Sequence, residues 1–186
     1  MIDGAMKLFA TTPVEEVTVQ HIAASVGMTP AAVYYHFASK EQILLEGMQH
    51  FRDELLGRVR ERLPAPGDVD GIRVILADML AWTAKHRVPA TVYFVNSIGL
   101  NLLVEALRRE TRLELVDMLR DAVRAARGRL GRAEAGVIAV ALVSLLETAL
   151  AAMLNRDAAY RSLGARRFSD EVGAIGDRIA GIRRAS

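Results

Sequence analysis

Apolar residues recur every three or four positions along most of the chain, and no stretch alternates apolar and polar residues with a period of two. This pattern predicts an all-α protein. The predicted helices cover, approximately, residues 2–10, 18–25, 29–37, 40–62, 70–86, a short segment from 89, 98–127, 132–154 and 167–183. The run Pro-Ala-Pro-Gly-Asp at 64–68 follows the long fourth helix and predicts a linker.

The helix lengths divide the chain into two predicted domains. Short helices fill residues 1–48 and predict a three-helix domain with a helix-turn-helix, whereas longer apolar helices in 49–186 predict a helical bundle. The boundary is predicted to lie inside the long helix, between residues 45 and 55.

Composition narrows the class of protein. The 186 residues are 52% hydrophobic and 25% charged, which excludes a disordered chain, and the absence of cysteine excludes disulfides and thiolate metal sites. The first ten residues lack the basic start and apolar run of a signal peptide, so a cytoplasmic protein is expected.

One segment, residues 136–154, is apolar enough to be considered as a membrane span. Glu147 lies near its centre, and a central carboxylate opposes insertion into lipid. We therefore expect a buried or subunit-interface helix here and no membrane partner.

Residues 18–37 carry the most specific pattern. Gly27 provides the turn between two short helices, and Ala23 provides a small residue where those helices would touch. Thr18 and Thr29 are predicted N-caps, with Pro30 at the first position of the second helix. The apolar positions that would form the shared core are Ile22, Val26, Met28 and Val33. Together these features predict a helix-turn-helix.

The run TVQHIAASVGMTPAAVYYHFASKEQILL, from Thr18 to Leu45, resembles the DNA-binding segment of the tetracycline-repressor (TetR) family of bacterial transcriptional regulators. The matching positions are Thr18, Ile22-Ala23, Gly27-Met28-Thr29, Val33-Tyr34-Tyr35-His36-Phe37 and Lys40-Glu41. The resemblance implies a ligand-responsive regulator, most simply a repressor, that binds palindromic operator DNA as a homodimer and is released by a small effector. The few polar residues in the predicted pocket, described below, favour a mostly hydrophobic effector.

The second helix of such a motif lies in the major groove, and its N-terminal residues meet base edges. Here these residues are Thr29, Pro30, Ala31 and Ala32, with Tyr35 one turn further along. Because proline and alanine offer no side-chain hydrogen bonds, specificity is expected to depend on thymine methyl groups, on Thr29 and Tyr35, and on DNA shape.

Four further residues are candidates for phosphate contacts: Thr18, Tyr34, His36 and Lys40. The resemblance implies this role for the tyrosine, the histidine and the lysine. Each has a structural alternative, since His36 could pack as a neutral histidine, Lys40 could merely begin a solvated helix, and the two alanines could simply favour helix formation.

The charge of the N-terminal segment opposes strong binding of DNA by a single DNA-binding domain. Residues 1–50 contain two lysines and five carboxylates, a formal net charge of −3, although the whole chain carries +2. Phosphate neutralisation supplies most non-specific affinity for DNA. We therefore expect either a basic N-terminal arm, which has been trimmed, or reliance on two DNA-binding domains in a dimer.

Small and branched residues in the last two helices favour a four-helix dimer interface, with ordinary intrachain core as the alternative. The predicted interface residues are Ala135, Gly136, Ala139, Val140, Val143, Phe168, Val172, Ile175 and Ile179.

The middle of the chain combines apolar and aromatic residues with a few polar ones, as an effector pocket would, although such a stripe can equally be plain core. The candidate lining residues are Ile75, Met79, Trp82, His86, Tyr93, Phe94, Asn96, Asn101 and Met118.

The sequence contains no HExxH, GxSxG or phosphate-binding glycine loop, and its histidines lack metal-ligand spacing. It therefore predicts a protein that is not an enzyme and has no metal or cofactor. The chief rival hypothesis is a helical carrier of hydrophobic ligands that does not bind DNA.

Overall fold

The computed structural model describes residues 1–68, 70–128 and 130–182, and this part of the chain is built from helices. The predicted all-α class is confirmed. The elements are α1 (Ile2–Thr11), α2 (Val19–Ser25), α3 (Pro30–His36), α4 (Lys40–Glu61), α5 (Gly71–Lys85), α6 (Arg87–Thr91), a π-helix (Val92–Asn96), α7 (Leu102–Arg127), α8 (Arg132–Asn155) and α9 (Ala158–Ala180).

The helices pack into two compact units that are not simply consecutive in sequence. Unit 1 consists of Met1–Glu54 and His86–Arg108, and unit 2 consists of Leu55–Lys85 and the described residues from Arg109 onward. The first crossing between the units, at residue 54, lies inside α4 where a boundary was expected. The return of residues 86–108 to unit 1 was not expected, and the functional division at 48/49 stays a prediction.

Unit 1 is built around α1, which contacts α2, α6 and the π-helix, while α2 contacts α3. The side chain of Asn96 donates a hydrogen bond of 2.9 Å to the carbonyl of Phe9, joining the π-helix to α1. Phe51 packs against Tyr93 and Phe94, with ring centroids 5.4 Å and 6.0 Å apart. The short helices of the N-terminal segment therefore share a core with residues from the middle of the chain.

Unit 2 is organised by mutual packing of α5, α8 and α9. A Cβ added at Gly176 would lie 2.4 Å from Leu76 Cδ1, so the missing side chain allows α9 to approach α5 closely. Arg73 donates hydrogen bonds of 3.0 Å and 2.8 Å to one carboxylate oxygen of the buried Asp177, which links the same two helices.

Two helix boundaries differ from the prediction. The last helix begins at Ala158 rather than near 167, and it contains a kink at Gly164 with φ 74° and ψ 164°, a conformation that only glycine adopts readily. Residues 98–101 precede α7, and Gly99 there has φ +73°. The predicted end of the last helix, residue 183, lies outside the described residues.

Within the described residues, α8 is the one helix long and apolar enough to cross a membrane. Its residues Leu142, Leu146 and Leu150 are buried, and α8 packs against α5 and α9 within unit 2. The carboxylate of Glu147 pairs with Arg112 of α7. This packing agrees with the expected role as a core helix.

Candidate nucleic-acid interface

The turn between α2 and α3 is formed as its sequence predicts. Gly27 has φ +66°, in the left-handed region, and the N–H of Met28 donates to the carbonyl of Ala23 at 2.9 Å. Ile22, Ala23 and Val33 are buried. Because these three residues come from both helices, the turn and the shared core together fix α3 against α2.

Threonine side chains cap both helices. Thr18 Oγ1 accepts the N–H of His21 at 3.2 Å, and the Thr18 N–H donates to Nδ1 of His21 at 3.4 Å, completing a capping box. Thr29 Oγ1 accepts the N–H of Ala32 at 3.2 Å. Both predicted N-caps are present. The reciprocal bond from His21 was missed, since a capping box usually has Glu or Gln at that position.

The N-terminal part of α3 is exposed and carries few side chains that can form hydrogen bonds. Thr29, Pro30 and Ala31 are exposed and Ala32 is half-buried. Tyr35 is 86% exposed and Tyr34 is 54% exposed. The predicted base-contacting residues therefore lie together at the surface, which also includes Tyr34.

His36 is exposed, and its ring meets the ring of Tyr35 edge-on at a centroid distance of 5.1 Å. The alternative in which His36 packs inside the domain does not fit this exposure. Its role as a phosphate contact stays a prediction.

Lys40 differs from a flexible surface lysine. Its Nζ donates hydrogen bonds of 2.7 Å, 3.0 Å and 2.7 Å to the carbonyls of Val14, Glu15 and Val17. An ammonium group has three donors, so all of them are used on the segment between α1 and α2. This corrects the expectation that Lys40 is available to phosphate, since a phosphate contact would require one of these bonds to break.

Thr18, Tyr34 and Lys40 nevertheless line a single depression of about 290 Å³ at the surface. The depression lies where α2 and α4 begin and is flanked by Glu15 and Glu41. Three of the four predicted phosphate contacts therefore meet at one place. The two carboxylates at its border agree with the negative charge of the N-terminal segment.

The predicted effector-pocket residues fall in both compact units. Ile75, Met79, Trp82 and Met118 belong to unit 2, and the other five belong to unit 1. Asn96 is engaged with Phe9, and Asn101 Oδ1 accepts the N–H of Val104 at 3.0 Å as the cap of α7. Tyr93 and Phe94 are buried against Phe51. In unit 1 these predicted lining residues therefore have structural roles.

The predicted dimer interface needs a larger correction. Five of its residues are buried inside unit 2, where α5, α8 and α9 pack: Ala135, Ala139, Val143, Phe168 and Val172. Val140 is 47% exposed, and Gly136, Ile175 and Ile179 are half-buried. The apolar periodicity identified helix faces correctly but could not separate a face against the same chain from one against a second copy.

Among the residues that the structure describes, no group of three or more histidine, aspartate or glutamate side chains is placed to hold a metal ion.

Two capped helices joined by a left-handed glycine, with the second helix exposed, define a helix-turn-helix protein. The sequence profile described as "Bacterial regulatory proteins, tetR family" matches residues 1–46. The match is confined to this N-terminal segment, which contains α1, α2, α3 and the start of α4. The HTH-type transcriptional repressor KstR2 of Rhodococcus jostii is 38% identical over 61 residues, which make up 33% of this chain and 30% of that repressor.

Solved structures resemble nearly the whole chain in fold. The TetR family transcriptional regulator PfmR from Thermus thermophilus has a TM-score of 0.73 and 23% identity, with 98% of each chain covered. A tetR-family regulatory protein from Rhodococcus has a TM-score of 0.79 and 20% identity, covering 98% of this chain and 96% of that one. FadR from Bacillus subtilis, solved with stearoyl-CoA, has a TM-score of 0.71 and 15% identity over 98% and 97% of the two chains.

Proposed function

We propose that this protein is a transcriptional repressor that binds palindromic operator DNA as a homodimer and dissociates when a small, mostly hydrophobic effector binds. The observation that carries the proposal is the exposed N-terminal surface of α3, held by Gly27 and by the caps at Thr18 and Thr29. The match of residues 1–46 to the tetR-family profile supports regulation rather than catalysis, and a cytoplasmic location is proposed with that role.

Base recognition by α3 is proposed to be largely apolar. Thr29 Oγ1 already accepts the N–H of Ala32 as a cap, Pro30 has no side-chain donor, and Ala31 presents only a methyl group. Apolar side chains recognise the C5 methyl group of thymine in the major groove. Tyr35, with its exposed ring and hydroxyl, supplies the polar part of the contact. Operator half-sites are therefore expected to contain thymines opposite the start of α3.

Dimer formation is proposed through the outer face of α8, together with the half-buried residues of α9. Val137 and Val140 are 72% and 47% exposed on α8, and Ile175 and Ile179 lie on α9. Two copies of a single domain with few base contacts would double the contact with DNA and would explain a palindromic site. The exposed valines are the strongest support for this face.

The effector site is proposed to lie in unit 2 along α5. Ile75 and Met79 are fully buried there and Trp82 is half-buried. Thr83 is also fully buried, and its hydroxyl has no hydrogen-bond partner in the described part of the chain. Such a group favours a polar atom of a ligand or a water molecule as its partner. FadR, which shares the fold, holds stearoyl-CoA, and this supports an apolar effector.

The proposal is tested by selecting bound sequences from a random duplex pool with the full chain. An inverted repeat is expected, with thymines in both half-sites. Replacing those thymines by deoxyuracil removes only the methyl groups and is expected to weaken binding by about fivefold or more per critical position. If no sequence is enriched and the affinity for DNA does not depend on salt, the result would instead support the rival hypothesis of a hydrophobic-ligand carrier that does not bind DNA.

A further inference from the structure

Unit 1 contains a cleft that neither the helix-turn-helix nor the proposed effector site uses. It has a volume of about 340 Å³ and is bounded by α1, by the middle of α4 and by the start of α6. Its size falls at the lower end of the roughly 300–1,000 Å³ typical of small-molecule sites. All of its walls come from unit 1, which also carries α3.

The floor and sides of the cleft are mainly apolar. Its apolar lining residues are Ile2, Met6, Phe51, Val88 and Pro89. Phe51 and Met6 are buried, whereas Ile2, Val88 and Pro89 are half-buried. At Gly47 an added Cβ would lie 2.5 Å from Met6 Sδ, so α1 and α4 approach closely at the base of the cleft. An apolar or aromatic body of modest size therefore suits it.

Charged residues surround this apolar floor. Asp3 and Glu54 contribute carboxylates from α1 and α4, and Lys7 contributes the only permanent positive charge among the lining residues. His50 Nε2 lies 3.5 Å from Glu54 Oε1, and His86 lies at the start of α6. With neutral imidazoles the lining has a formal charge of −1. The excess of carboxylates favours a cationic ligand over an anionic one.

We propose that the cleft binds a small apolar amine, with its hydrocarbon body between Met6, Phe51 and Val88 and its ammonium group facing Asp3 and Glu54. Such a ligand would contact α1, α4 and α6 at once. The binding step does not depend on the proposed operator or on the effector site in unit 2. It is therefore measurable on the protein without DNA.

Three probes that share a 2-phenylethyl body test the charge preference: 2-phenylethylammonium, 2-phenylethanol and 3-phenylpropionate. The full chain, labelled with ¹⁵N, is titrated with each probe while amide shifts are followed by NMR. The ammonium is expected to bind most tightly and the carboxylate least, with the largest shifts at Gly47 and Val88. In the double variant D3N/E54Q the preference for ammonium over alcohol is expected to fall about two- to fivefold.

Two matched tryptophan variants test the location. His50 lines the cleft and is exposed, so His50→Trp is expected to fill the cleft. The affinity for 2-phenylethylammonium is expected to fall at least tenfold. Gln49 is exposed on the same helix but does not line the cleft, so Gln49→Trp is expected to leave the affinity unchanged. The double variant E15Q/E16Q, which removes two exposed carboxylates of unit 1 that do not line the cleft, matches the charge change of D3N/E54Q and controls for it.

Equal or tighter binding of the carboxylate would overturn the proposal, as would full affinity in the His50→Trp variant. Absence of binding by all three probes up to about 20 mM would also overturn it. None of these outcomes bears on operator selection, so failure of the cleft proposal is distinguishable from failure of the proposed function.

Discussion

The ammonium group of Lys40 illustrates how a single residue can have a different role from the one its motif suggests. It donates to three carbonyls of the segment that joins α1 to α2. A net contribution of about 1 kcal/mol per intramolecular hydrogen bond is typical, and bonds from charged groups contribute more. Lys40 therefore stabilises the position of α2 at the surface proposed to meet DNA.

Lys40→Ala is expected to lower the free energy of unfolding by about 2 kcal/mol, because three carbonyls lose their donor. Chemical denaturation of the full chain measures this. Lys7→Ala is the matched control, since Lys7 is an exposed lysine of α1, and its removal is expected to change stability by less than about 0.5 kcal/mol. Equal stability of the Lys40 variant and the original protein would show that the three bonds contribute nothing.

At the scale of helices, local signals account for what could be predicted. The threonine caps, Pro30 and Gly27 act on neighbouring residues, so α2 and α3 begin and end within about one residue of their predicted bounds. The start of α9 was predicted too late, because residues 158–163 precede the kink at Gly164 and Tyr160 packs against Phe168 across it. The return of residues 86–108 to unit 1 depends on contacts such as Asn96 with Phe9, which no local pattern reveals.

Thr29 has two proposed roles, as the cap of α3 and as a contact to DNA, and two substitutions distinguish them. Thr29→Ala is expected to destabilise α3 by about 1 kcal/mol and to weaken operator binding, because the N–H of Ala32 loses its acceptor. Thr29→Ser keeps the hydroxyl and is expected to retain the stability. Denaturation combined with binding to the selected duplex checks both. If the serine variant is also destabilised, the methyl group rather than the cap is what matters.

The link between α5 and α9 gives a second prediction at this scale. Asp177→Ala removes the buried partner of Arg73 and is expected to lower stability by about 3 kcal/mol, since a partly buried guanidinium loses its counter-charge. Asp170→Ala, at an exposed position of the same helix, is the control and is expected to be nearly neutral. Thermal unfolding compares the two variants. Similar melting temperatures would mean that glycine packing alone holds α9 on α5.

At the scale of the whole molecule, the dimer interface is the feature that was hardest to predict from the sequence. Apolar spacing identified the faces of α8 and α9, yet Ala135, Ala139 and Val143 turned out to be intrachain core. Periodicity reports which face avoids water and not which surface covers it. The exposed valines of α8 can be recognised only once the intrachain neighbours are known, and the same holds for the amine cleft.

Val137→Glu with Val140→Glu is expected to convert a dimer into a monomer, because two carboxylates would face each other across a twofold interface. Sedimentation velocity measures the change. Val74→Glu, at a valine of α5 in unit 2 that is 48% exposed and so comparable to Val140, is the control and is expected to leave the dimer intact. A dimer that survives the double substitution would place the interface elsewhere.

The most direct test of the central claim is the affinity of the full chain for its selected inverted repeat as a function of salt, with a scrambled duplex alongside. Two chains per duplex are expected, with log affinity falling linearly as log salt rises and at least about a thousandfold preference for the inverted repeat. Equal affinity for both duplexes, or an affinity that does not change with salt, would contradict the role of α3 as a DNA-reading helix.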